Sequence, residues 1–131
     1  MKYLLLIYND PELLDALPAG GFDTMMSACD AQADELKQSG SLVTSQKLQP
    51  VQTATTLRVR SGKVSVTDGP FAETKEQLGG FNLIEARDLD EAIRIAQRFP
   101  WTRTGAVEIR PVQEPAEAAR REAMTERSPR A

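Results

Sequence analysis

The chain has 131 residues, of which 40% are hydrophobic and 27% charged, with a net charge of −3. That is one domain with enough material to bury a core, and its slight acidity argues against direct binding to a nucleic-acid backbone, which needs a basic face. Histidine is absent and cysteine occurs once, at Cys29, which removes the usual neutral-pH general base, a His/Cys metal site and any intrachain disulfide.

Residues 2–8 are apolar on both alternating faces, Tyr3, Leu5 and Ile7 on one and Leu4, Leu6 and Tyr8 on the other. The run is too short for a membrane span or a secretory core, so it reads as a strand covered on both sides, central in its sheet. Asp10-Pro11-Glu12 has the form of a helix start, which predicts a short helical turn over 11–17, broken by Pro18 and Gly20-Gly21. Phe22, Met25, Met26, Cys29, Ala33 and Leu36 are spaced as one stripe of a helix over 22–39, with Gly40 as its C-terminal cap. Cys29 and the methionines read as core, not as chemistry. Residues 41–48 read as a strand, and 55–60 and 63–67 as a hairpin around Ser61-Gly62. Residues 79–86 form the next strand. Asp88 and Glu91 have capping-box spacing ahead of Leu89, Ala92, Ile93, Ala96 and Phe99, a second helical stripe that ends at Pro100. A last strand over 106–110 stops at Pro111. Residues 114–131 are rich in alanine and charge and carry no apolar stripe, which predicts a solvated helix or a flexible tail beyond a domain of 1–113.

The order is strand, helix, strand, inserted hairpin, strand, helix, strand. Without the hairpin it is the split βαβ pattern, so the expected fold is α+β and ferredoxin-like, βαββαβ with an inserted hairpin, both helices on one face. The second apolar face of residues 2–8 then needs a cover, and the simplest is the same face of another copy in a two-fold homodimer. The absence of a long apolar segment and the single cysteine predict a cytoplasmic protein without a membrane partner.

Between the hairpin and the third long strand lies Asp68-Gly69-Pro70-Phe71-Ala72-Glu73-Thr74-Lys75-Glu76, followed by Gly79-Gly80-Phe81. This string resembles the DGPFAETKE motif of the DGPF branch of the YCII-related family, and the likeness runs from Lys2-Tyr3 to Val107–Val112. The resemblance implies a dimeric α+β barrel. It also implies a family mostly without assigned activity, some of whose members are encoded beside extracytoplasmic-function sigma factors. Certain YCII relatives carry a histidine–aspartate pair in a cleft; with no histidine, this chain does not take over that pair, and enzymatic activity is left open.

Asp68 is the foremost candidate side chain. It reads either as a turn residue accepting backbone hydrogen bonds ahead of Gly69 and Pro70 or as an acid, base or ligand anchor at a cleft rim. Glu73, Lys75 and Glu76 form either a polar lid or a solvated loop. Gly79 and Gly80 allow a ligand close to the backbone or mark a bulge. Glu85 shares a strand face with Phe81 and Leu83, and Glu108 shares one with Arg110, so charges there pair internally or meet a ligand. The expected ligand-binding set is Tyr8, Phe71, Lys75, Gly79, Gly80, Glu85 and Arg110, around Asp68 as the catalytic candidate, with no metal and no cofactor called for. Three functions follow in order: a homodimeric small-molecule-binding module with its cleft near Asp68 and Phe71, an enzyme with an Asp68-centred acid–base site in that cleft, and an accessory protein that contacts a sigma factor.

Overall fold

The computed structural model describes residues 1–115 and 120–124. Its centre is β1 (Lys2–Asn9), which pairs antiparallel with β5 (Gln77–Glu85) on one side and β6 (Gly105–Pro111) on the other. With β2 (Leu42–Lys47) beyond β5, the large sheet has the order β2-β5-β1-β6. Tyr3, Leu5 and Ile7 of β1 and Ile84 of β5 are buried on the face that carries the helices. There they form one core with Met25, Cys29 and Leu36 of α2 (Gly21–Gln38) and Ala92, Ile95 and Ala96 of α3 (Leu89–Gln97). Phe99 and Trp101 close that core. The result is a mixed α+β domain with antiparallel sheets, compatible with the ferredoxin-like arrangement.

Local chemistry sets the element ends. The Asp10 carboxylate accepts from the Glu12 N–H at 3.0 Å and opens α1 (Pro11–Asp15). This helix ends two residues short of the expected 17, because Pro18 disfavours helical backbone at Leu17. Asp88 accepts from the Glu91 N–H at 2.9 Å, and Glu91 reaches back to the Arg87 N–H at 3.1 Å. This is a capping box displaced by one residue, since the reciprocal bond goes to Arg87 and not to Asp88 itself. β6 runs on to Pro111, where an edge position tolerates the missing N–H. In the tail, residues 120–124 are helical and exposed; the expectation for 116–119 and 125–131 lies outside the described residues.

β3 (Thr55–Arg60) and β4 (Lys63–Asp68) form their own two-stranded sheet. Ser61 and Gly62 both have positive φ, 52° and 76°, the backbone of a tight hairpin turn. Opposite pairs Leu57–Val66 and Val59–Val64 make an apolar row along one face, and all four residues are exposed.

β5 starts at Gln77, two residues before the expected strand, because β1 stays paired with it through a bulge. Ile7 faces Gly80 and Tyr8 faces Leu78, so Gly79 is the extra residue. At Gly80 crowding within the sheet requires glycine, since a Cβ would lie 2.7 Å from the Gln46 carbonyl oxygen, whereas a Cβ at Gly79 would meet at 2.8 Å only Asn9 Nδ2, the end of a side chain that can turn aside. At Gly105 the constraint is tighter still, since a Cβ would collide with the Tyr8 carbonyl oxygen across the β1–β6 pair. Gly105→Ala therefore destabilises the fold by about 1–3 kcal/mol or more. In urea unfolding the midpoint falls while the slope is unchanged; a wild-type midpoint would contradict the close approach.

Candidate functional site

The second face of the large sheet carries Leu4, Leu6 and Tyr8 of β1, Phe81 and Leu83 of β5, and Ala106, Glu108 and Arg110 of β6, placed there by strand alternation and register. No helix covers it. The four large apolar residues at its centre are half-buried.

Where this face meets the hairpin, a groove of about 1270 Å³ opens. Tyr8 and Leu78 lie at its sheet end. One wall is the segment 48–57, which includes a 3₁₀ turn at Val51–Thr53, and the other is residues 69–74 with Phe71. Backbone and side-chain bonds join the walls: the Gly69 N–H donates to the Ala54 carbonyl at 2.7 Å and the Thr56 hydroxyl to the Gly69 carbonyl at 2.8 Å. Arg58 Nη2 donates to the Phe71 carbonyl at 3.1 Å. Gly69 has φ 102°, which lets the chain leave β4 and turn along the groove. Phe71 is 78% exposed, an aromatic ring with one side free to cover a ligand.

Tyr8 supplies the polar end. Its hydroxyl donates to Glu108 Oε1 at 3.1 Å. Desolvation by burial raises the phenol above its ordinary value of 10.0, and the hydrogen bond to Glu108 and that residue's negative charge add to the rise, while the Arg110 guanidinium opposes it. The phenol therefore stays protonated near neutral pH and acts as a hydrogen-bond donor. Arg110 makes no hydrogen bond or ion pair with another described residue.

The other expected site residues lie apart. Asp68 is exposed at the last position of β4, paired in register with Thr55, and outside the groove lining. Its carboxylate has no hydrogen bond or ion pair with a described residue. Lys75 reaches the buried Asp10 carboxylate at 3.6 Å, which ties the end of the motif to the end of β1. Glu85 pairs with the amino terminus at 3.3 Å, at the opposite end of the sheet. Gly79 and Gly80 line a separate, smaller cavity on the helix side. Cys29 is buried, and burial first, then Asp30, pushes its thiol up to about 11, with Lys47 opposing, so it is not a nucleophile near neutral pH. Sequence reading brought Tyr8 and Phe71 to the groove but missed the wall at Leu48, Pro50 and Val51. A proline with apolar neighbours between two strands was the available signal.

Among the described residues, no group of three or more His, Cys, Asp or Glu side chains stands close enough to hold a metal ion, and no helix is long and apolar enough to cross a membrane.

A one-sided α+β sheet with an open second face and a groove at its hairpin defines the class of domain. Residues 1–116 match the YCII-related domain, and the chain belongs to that family. It is 39% identical over 114 residues to an uncharacterized protein of Rhizobium meliloti (strain 1021), a match covering 86% of this chain and 92% of that one. Among solved structures it is similar to 5-chloro-2-hydroxyhydroquinone dehydrochlorinase (TftG) from Burkholderia phenoliruptrix AC1100, in complex with 2,5-dihydroxybenzoquinone. The TM-score is 0.52 at 18% identity, covering 88% of this chain and 97% of that chain, and at that identity the likeness is one of fold.

The Tyr8 environment gives a titration with a defined sign. Glu108→Gln removes a negative charge and brings the Tyr8 ionisation down toward 10.0, while Arg110→Gln moves it further up. The folded chain favours the neutral phenol, so the associated stability is present below the ordinary tyrosine value and is lost as pH rises through the folded one. Alkaline absorbance titration, with Tyr8→Phe subtracted to remove Tyr3, reads these shifts; one shared midpoint in all three proteins would contradict the assignment.

Proposed function

We propose that this protein is a small-molecule-binding module of the DGPF branch, acting as a homodimer, with its ligand in the groove between Tyr8 and Phe71. The observation that carries this reading is the groove's composition. Its walls are largely apolar, with Leu48, Pro50, Val51, Leu57, Phe71 and Leu78, and a protonated phenol held by Glu108 stands at one end. That combination suits a flat, largely apolar molecule with a hydrogen-bonding oxygen at its edge. At about 1270 Å³ the groove is larger than the roughly 300–1,000 Å³ usual for such sites, and a second copy laid on the open sheet face would narrow it. The half-buried Leu4, Leu6, Phe81 and Leu83 support that contact.

The enzyme reading centred on Asp68 has less support, because that carboxylate is exposed and has no hydrogen bond or ion pair with a described residue. One observation favours an accessory role in contacting another protein, such as the sigma factor that family analogy suggests: the exposed row Leu57, Val59, Val64 and Val66 on the hairpin.

Two measurements test the proposal. Sedimentation gives a dimer for the wild type and a monomer for Leu6→Asp combined with Leu83→Asp; a wild-type monomer at micromolar concentration would remove the dimer. For the groove, the TftG complex suggests 2,5-dihydroxybenzoquinone as a first probe within a panel of hydroxylated aromatic compounds. Calorimetry should find at least one binder, weakened about fivefold or more by Phe71→Ala and by Tyr8→Phe, in line with the loss of one aromatic contact or one hydrogen bond. Binding indifferent to both substitutions would place the ligand elsewhere.

A further inference from the structure

On the helix side of the sheet, across from the groove, Asn82 is 3% exposed and lines a cavity of about 100 Å³. Its side-chain amide has no hydrogen bond to a described residue. Among the described residues, the unpartnered side-chain polar atom sealed from solvent is Gln32 Nε2; the equally unpartnered Asn82 amide is not sealed, so the little exposure it keeps belongs to the cavity it lines. Water entering the cavity can meet this amide in the free protein, and a ligand that displaces the water must replace both its donor and its acceptor contacts.

The surroundings limit what that ligand is. Ile7, Phe99 and Trp101 give apolar walls, and Gly79 and Gly80 contribute bare backbone. Lys47 and Asp30 also line the cavity, both exposed and neither in an ion pair with a described residue. The Lys47 ammonium sits 4.9 Å from the Phe22 ring centroid and 3.9 Å from Met26 Sδ. Two opposite charges leave the mouth without net preference for an anion or a cation. Deeper in, an asparagine amide presents a donor beside an acceptor. A carboxylate offers only acceptors and would leave the Asn82 carbonyl oxygen unpaired; an ammonium offers only donors and would leave its N–H groups unpaired. A neutral edge with one of each satisfies both. An apolar cavity of about 150 Å³ takes a benzene ring with room to spare, so one of about 100 Å³ takes a head group no larger than a five-membered ring.

We propose that this cavity is a second binding site, for a small neutral molecule that presents a primary-amide or lactam edge to Asn82. It lies on the opposite face of the sheet from Tyr8 and does not depend on the groove.

Trp101 is the single tryptophan and lines the cavity, so its emission reports entry. Titration with 2-pyrrolidinone should give a saturable change in Trp101 emission. Cyclopentanone, which keeps the ring and carbonyl but lacks the N–H, should bind at least about tenfold more weakly, because a site built to pair a hydrogen-bonding edge rejects the analogue without it. Asn82→Leu and the near-isosteric Asn82→Asp should each weaken the lactam by about tenfold or more. Phe71→Ala should leave it unchanged, so that failure of this site is read apart from failure of the groove. No saturable change with 2-pyrrolidinone, equal binding of cyclopentanone, or acetate binding as tightly as the lactam would each overturn the proposal. Should Asn82→Leu fail to fold, the two ring probes on the wild type decide it.

Discussion

β1 is hydrogen-bonded to β5 along one side and β6 along the other, and its side chains divide between the covered core and the open face. The rest of the architecture depends on this double pairing. It requires Gly105, because the β6 backbone comes too close to the Tyr8 carbonyl for any side chain. It requires the extra residue at Gly79, because Tyr8 and Asn9 stay paired with β5 past the point where the regular register ends. The same pairing brings Tyr8 beside Glu108 and puts Ile7 against the cavity that Asn82 lines. One strand thus supplies a polar group to the groove and an apolar wall to the second cavity.

The fold was legible in the sequence because its signals are local and physical. Alternation in residues 2–8, the α2 stripe through Met25, Cys29 and Leu36, and the Asp88–Glu91 pair each follow from one period or one cap. Apart from the end of α1, which Pro18 sets locally, the boundaries that differed were set by tertiary partners. Gln77 and Leu78 carry no strand pattern of their own and become strand because β1 pairs with them. The glycine pair allowed two readings in the sequence: Gly79 is the bulge residue, and crowding by the Gln46 backbone explains Gly80 within the sheet.

The candidate site was less legible. Asp68 stood out as the head of a recognisable motif, yet a motif identifies a lineage more directly than it identifies where a side chain points. The part of the motif at the groove is its middle, Gly69 to Thr74, while Lys75 is held by Asp10. Asn82 gave no sequence signal at all, since a polar residue in an alternating strand reads as solvent-facing until the register shows it beside Ile84 in the core. The lack of histidine proved informative in a different way. It turned attention to the Tyr8 phenol, which Glu108 holds at the sheet end of the groove.

Among the described residues, the hairpin β3–β4 joins no other strand, so both of its outer edges are open to strand addition. On one face it presents a branched apolar row; on the other, Arg58, Arg60 and Lys63 stand close together at its tip. Parallel in-register stacking of identical hairpins would set these cations directly over one another, and repulsion at that spacing opposes growth. The basic face thus works as a guard against fibrillar self-association, and its strength is tied to ionic strength because salt screens exposed charges. The chain can carry an exposed apolar hairpin in dilute buffer while being more prone to aggregate as salt rises.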